Sequence, residues 1–237
     1  MIIPDVNFKL VQNRINKLWD PFERNPMIAV FGYTGSGKSY LIRHGILSIR
    51  KAARTVVIDI KNTHGKTWNG YGTIVRELPK AFNGDGTGEY NQSQYRLVAY
   101  RDKDDAKSQI KRALAQIRNE GHCIIVIDDS RKVTEREQLN LGSDVEDLIL
   151  TGRELGISIV LGAQSPTWAV SAIKDQPGAF FLGSVPMKAK ELSEIAGRGT
   201  DLIPTLRTIK ARSFVYVDTW ENGIIGTTTQ LTTNDAD

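Results

Sequence analysis

Met27-Ile-Ala-Val-Phe31 runs straight into Gly32-Tyr33-Thr34-Gly35-Ser36-Gly37-Lys38-Ser39, and Tyr40-Leu41-Ile42-Arg43 continues at helical spacing. An apolar strand, a turn reading G-x-x-x-x-G-K-S and a helix start are the three parts of a phosphate-binding (Walker A) loop, here in working order. Glycines open backbone conformations closed to other residues, so successive N–H groups can point inward at phosphate oxygens. A helix beginning near Lys38 adds the positive end of its dipole at the same place. The expected cradle is therefore Gly32, Tyr33, Thr34, Gly35, Ser36, Gly37, Lys38, Ser39 and Tyr40. Lys38 is expected at the β/γ-phosphates and the Ser39 hydroxyl on Mg²⁺. The pattern points to ATP or GTP.

The 237 residues, 40% of them hydrophobic, suffice for one large core-bearing domain. A net charge of +4 permits a nucleic-acid partner without requiring one. No apolar run approaches the ~18 residues that span a bilayer. The start, Met-Ile-Ile-Pro-Asp-Val, lacks a basic stretch followed by a long apolar one, so no secretory leader is expected. Single Cys123 lies in an apolar run and reads as a buried reduced thiol.

Residues 1–26 place Phe8, Val11, Ile15, Leu18 and Trp19 at helical spacing and end on Pro21 and Pro26. They read as a helical extension, packed on the outside of the domain or strapped across a neighbouring subunit. The loop helix is expected over roughly 38–52. Thr55-Val-Val-Ile-Asp59-Ile60 is a buried parallel strand. Asp59 at its end either orders water or Lys38, or is a satisfied strand-end carboxylate. Residues 62–95 show little periodicity and read as a long loop, functional or mobile, with lone His64 and an exposed tip at 83–88. Tyr95–Tyr100 is a strand. Residues 102–119 form a helix with acidic residues first and basic ones later, as the dipole favours.

Cys123-Ile-Ile-Val-Ile-Asp128-Asp129 is the second informative site. Four apolar residues ending in paired carboxylates match a Walker B strand. Asp128 is assigned to Mg²⁺ and Asp129 to the attacking water, as its general base. Val145, Leu148, Ile149 and Leu155 mark the next helix, and Gly156 to Ala163 a buried strand tipped by Gln164. Gln164 is positioned for the attacking water or the γ-phosphate. Further on come a strand at 179–183, a helix at 189–196 and a strand over Ile209–Val217. The domain is bounded at 27–225, and the Thr-rich tail, 226–237, is expected to fray.

The order of these elements, with Thr151-Gly-Arg153-Glu-Leu-Gly156-Ile157 leading into the strand and Ala163-Gln164-Ser165-Pro166 ending it, resembles the FtsK/HerA superfamily of ring-shaped DNA-pumping ATPases. The resemblance covers roughly residues 27–217 and is specific at the three strand tips. It implies an α/β P-loop NTPase (RecA/ASCE-like) three-layer fold, with a mainly parallel central sheet flanked by helices. It also makes Gln164 a polar sensor and Arg153 an arginine finger acting on a neighbouring subunit's ATP, with Arg131 and Arg198 as rivals. The alternative for Arg153 is a surface ion pair with Glu154 or Asp147. Many members place Glu after the Walker B aspartate; Asp129 is one methylene shorter.

A bare ATPase core of this length resembles the genome-packaging ATPases of tailless icosahedral viruses with internal membranes. The expectation is thus a ring of about five or six subunits that threads double-stranded DNA into a preformed capsid, in the host cytoplasm or at a virion vertex, with a capsid or membrane-bound portal protein as partner. Lys61, Lys66, Arg131 and Lys132 are the basic residues offered to the DNA backbone. A plasmid or conjugative DNA pump is the alternative of the same class. A small-molecule kinase and a nucleotide-regulated assembly protein are alternatives of other classes.

Overall fold

Continuous β-branched and aromatic runs suit strands covered on both faces, and in this chain they assemble into one sheet. The computed structural model describes residues 5–18, 26–50, 54–60, 68–81, 93–165, 178–184, 203–210, 212–218 and 223–228. Its strands are β1 (Asp5–Val6), β2 (Met27–Phe31), β3 (Thr55–Asp59), β4 (Thr73–Val75) and β5 (Gln94–Val98). They continue as β6 (Ile124–Ile127), β7 (Ser158–Ala163), β8 (Ala179–Leu182), β9 (Phe214–Asp218) and β10 (Gly223–Thr228). The ten lie in the order β1-β10-β9-β8-β2-β7-β6-β3-β5-β4. Only the two pairings made by β9 are antiparallel, so β9 alone runs against the others.

Alternation along the strands divides the core in two. Met27, Ala29 and Phe31 of β2 pack into one cluster with Ile125, Ile127, Ile159 and Leu161. Ile28 and Val30 pack into the other with Val126, Val160 and Phe181. The first face is covered by α3 (Lys103–Glu120) and α5 (Gly142–Gly152), through Ile110, Leu114, Val145 and Leu148. The second is covered by α1 (Phe8–Leu18) and the segment after the glycine loop, through Phe8, Val11, Ile15, Leu41 and Ile42. Two helical layers on a mainly parallel sheet make the three-layer α/β architecture expected from the sequence.

The differences are local. The loop helix begins as α2 (Lys38–Tyr40), widens to π geometry over Leu41–Ile46 and tightens to a 3-10 turn over Leu47–Arg50. Gly45, a poor helix former, lies in the widened part, with the Phe8 ring packed where a side chain would stand. The region read as one long loop contains β4, which pairs with β5 at the sheet edge. Directly after Asp129 the chain forms α4 (Ser130–Thr134). The strand expected from Ile209 starts at Phe214, after α6 (Ile203–Thr208). The tail expected from residue 226 is still strand through Thr228, because β10 is paired on both sides, with β9 and β1. The 83–88 tip, the 189–196 helix, His64, Lys61, Lys66 and Arg198 lie outside the described residues. No helix among the described residues is long and apolar enough to cross a membrane.

Candidate nucleotide site

Parallel strands bring their C-terminal ends to one edge, and register fixes which tips are neighbours. Phe31 of β2 pairs with Ala163 of β7, and Ile127 of β6 pairs with Leu161 of β7. Gly32, Gln164 and Asp128 therefore leave the sheet side by side, although distant in sequence. β7 stands between the glycine-loop strand and the Walker B strand. Gly162 is what allows that close spacing: a Cβ there would lie 2.5 Å from the Asp128 carbonyl oxygen.

The loop is anchored from below. Gly32 N–H donates to the Ala163 carbonyl (3.1 Å), Tyr33 N–H to the Ser184 carbonyl (3.1 Å) and Ser36 N–H to the Tyr33 carbonyl (3.1 Å). The first two bonds hold the loop to its surroundings and the third closes a turn within it, which leaves the phosphate-facing cradle to the remaining loop amides and the start of α2. Gly37, the N-cap of α2, sits in the left-handed region at φ 94, where a side chain would be strained. The Lys38 ammonium donates to the carbonyls of Gly32 (2.6 Å) and Tyr33 (2.9 Å), which hold the cation over the loop.

Ser39 Oγ lies 2.9 Å from Asp128 Oδ1 and 2.6 Å from Oδ2, so one hydroxyl proton is shared across the carboxylate. A hydroxyl and a carboxylate oxygen this close are hard donors of the kind Mg²⁺ takes, with phosphate oxygens and water completing its shell. No cluster of three or more His, Cys, Asp or Glu occurs among the described residues. Asp129 follows at the start of α4, at φ −131 and ψ 75. Gln164 ends β7 next to Gly32.

Arg153 is not at this edge. It is an exposed residue closing α5, before β7 begins, so the length of that strand separates it from Gln164, on the order of 20 Å. Asp147, one of the two partners considered for Arg153, is bonded to Arg118. Arg131 donates to Glu135 (2.7 Å) one turn along. Asp59, offered as a partner for Lys38 or water, faces Arg96 at 3.6 Å. Burial pushes the Cys123 thiol up to about 12, partly countered by Arg54, so it stays protonated at neutral pH.

Two neighbours of the site lie outside every motif in the sequence. The Trp68 indole N–H donates to Asp128 Oδ2 (2.9 Å). Arg212 places its Cγ 3.3 Å from where a Gly37 Cβ would stand, packing its aliphatic stem against the loop. Neither carries a local sequence signal: Trp68 falls in an aperiodic stretch and Arg212 between a short helix and a strand.

The AAA domain family matches residues 23–166. No curated protein matches the sequence. Among solved structures, the genome packaging NTPase B204 from Sulfolobus turreted icosahedral virus 2 in complex with AMPPCP is 18% identical, with a TM-score of 0.64 over 90% of this chain and 100% of that one. VirB4 of Thermoanaerobacter pseudethanolicus is 10% identical, with a TM-score of 0.65 over 94% of each chain. At such identities the likeness establishes a shared P-loop NTPase fold.

Proposed function

The chain belongs to the AAA domain family, and from that premise we propose that it is an ATP-hydrolysing motor that moves double-stranded DNA, packaging a viral genome into a preformed capsid. The observation that carries the reading is the Ser39–Asp128 contact, at 2.6 Å, beside a strand tipped by Gln164. Walker A serine and Walker B aspartate meet there, next to a polar group able to orient a nucleophile. The likeness to a genome packaging NTPase over 90% of this chain supports the DNA-packaging half of the proposal.

In this scheme the remaining loop amides and Lys38 hold the β- and γ-phosphates and draw negative charge toward the bridging oxygen. Ser39 and Asp128 would hold Mg²⁺, which supplies charge neutralisation when bound. Gln164 orients a water in line with the γ-phosphorus. Asp129 accepts that water's proton as its oxygen bonds to phosphorus, and the bond to the bridging oxygen breaks with its electron pair leaving on ADP. Arg153, remote from its own chain's site, serves the ATP of an adjacent subunit in a ring. Sequence-independent contacts to phosphate make the DNA response fall steeply with salt.

The test is ATP hydrolysis at low salt with and without long double-stranded DNA, with Lys38→Ala as the blank. Stimulation by DNA that vanishes in Lys38→Ala is expected. Robust hydrolysis indifferent to DNA at every salt concentration would refute the motor and point to another acceptor. A plasmid or conjugative DNA pump, the alternative of the same class, gives the same DNA response. It differs in needing no capsid for transport.

A further inference from the structure

Asp128 is held from two sides. Ser39 reaches it from the phosphate loop, and Trp68 reaches it from a turn that no nucleotide motif includes. Trp68 is 6% exposed, and its indole N–H can only donate. The partner is a carboxylate oxygen 2.9 Å away. A charge-assisted bond of this kind is stronger than one between neutral groups.

The turn bearing Trp68 is built to stay in place. Its carbonyl accepts from Tyr71 N–H (3.2 Å) and from buried Arg96 Nη1 (2.6 Å), and Arg96 in turn faces Asp59 on β3. The Trp68 and Tyr71 rings meet edge to face at 5.3 Å. From the glycine-loop helix, Arg43 donates to the Asn69 carbonyl (2.9 Å) and stands 5.8 Å from the Tyr71 ring centre. The turn is thus tied both to the helix that follows Lys38 and to the strand that ends in Asp59.

We propose that Trp68 is a positioning residue for the ATPase: it fixes Oδ2 of Asp128 through its indole N–H, so that the carboxylate presents a set orientation to Ser39 and to the divalent cation accompanying the nucleotide. The inference rests on the nucleotide-site reading above and adds a role to a residue outside both Walker motifs. Without the donor, Asp128 is held by Ser39 alone, and the cation site loses part of its pre-set geometry while the phosphate cradle is unchanged. Outer contacts of this type are typically worth 10–100-fold in metal affinity or activity.

The experiment compares wild type with Trp68→Phe, which keeps an aromatic ring and removes the donor, and with Trp68→His, which restores an N–H. Three quantities are read: the Mg²⁺ concentration for half-maximal ATP hydrolysis, ADP affinity by calorimetry with excess EDTA, and ADP affinity with Mg²⁺. Trp68→Phe is expected to raise the Mg²⁺ requirement about tenfold and lower kcat, with metal-free ADP affinity unchanged. Trp68→His is expected to recover part of the Mg²⁺ response. An unaltered Mg²⁺ requirement in Trp68→Phe overturns the proposal, as does an equal loss of ADP affinity with and without metal, which would mark a packing role.

Should the variants fail to fold, a chain keeping Trp68 as its sole tryptophan, with Trp19, Trp168 and Trp220 changed to Phe, supplies the second readout. Its emission is expected to shift with MgADP and much less with ADP in EDTA; equal responses refute the proposal. Absence of any ADP binding by wild type would overturn the nucleotide-site reading itself, a different failure from unchanged Mg²⁺ dependence in an active enzyme.

Discussion

Asp128 keeps its place partly because its neighbour on β7 has no side chain. A Cβ on Gly162 would stand 2.5 Å from the Asp128 carbonyl oxygen and 3.2 Å from its Oδ1. The first of these is backbone at the end of a paired strand, so no side-chain rotation can relieve the contact. Gly162→Ala must push β6 and β7 apart at the strand ends where Asp128, Gln164 and Gly32 converge. We expect a loss of about 1–3 kcal/mol, the usual cost of overpacking a tight interior, with Tm lower by on the order of 5 °C. ATP hydrolysis should fall further than stability does, because the displaced atoms carry the site. Denaturant midpoints and turnover measured on the same preparation check this. A variant as stable and as active as wild type would show that the strand ends are more yielding than their spacing implies.

At the scale of elements, α3 shows local chemistry agreeing with the fold far from the nucleotide. Asp102 Oδ1 accepts from the amides of Asp104 (2.9 Å) and Asp105 (3.1 Å), capping the helix, and Asp104 and Asp105 add negative charge to its first turn. Asp102→Ala should cost about 1 kcal/mol and leave ATP hydrolysis unchanged, as read from urea unfolding and turnover; a drop in turnover would tie α3 to the site. This helix is legible in the sequence because its caps, charges and apolar spacing all lie within one short window. The Walker strands are legible for the same reason: each is an apolar run ending in the residue that acts. What escapes such reading depends on partners far along the chain. β4 has three residues at a sheet edge, β10 owes its order to pairing with β9 and β1, and the Trp68–Asp128 bond joins an aperiodic turn to a strand tip. The glycine-loop helix lies where its pattern predicts, but its widening around Gly45 follows from packing against α1.

For the whole molecule, the sheet separates the parts of the proposed reaction. Lys38, Ser39, Asp128, Asp129 and Gln164 gather at the C-terminal ends of the strands, whereas Arg153 stands where β7 begins. One chain therefore cannot apply its own Arg153 to its own γ-phosphate, and any such role needs a second copy whose sheet edge faces this residue. Mixing tests that arrangement. Lys38→Ala subunits lack the phosphate cation but retain Arg153, and Arg153→Ala subunits retain an intact loop. If the guanidinium acts across an interface, each variant alone should be slower than wild type by a factor of about 10³, the lower end for a finger that stabilises transition-state charge. Their mixture should then hydrolyse ATP measurably faster than either, because some interfaces pair an intact loop with an intact Arg153. Arg153→Lys keeps the charge but loses the planar fork and should recover little. Activity of Arg153→Ala equal to wild type removes Arg153 from the mechanism. Loss in both variants without recovery on mixing would instead mean that Arg153 maintains its own subunit.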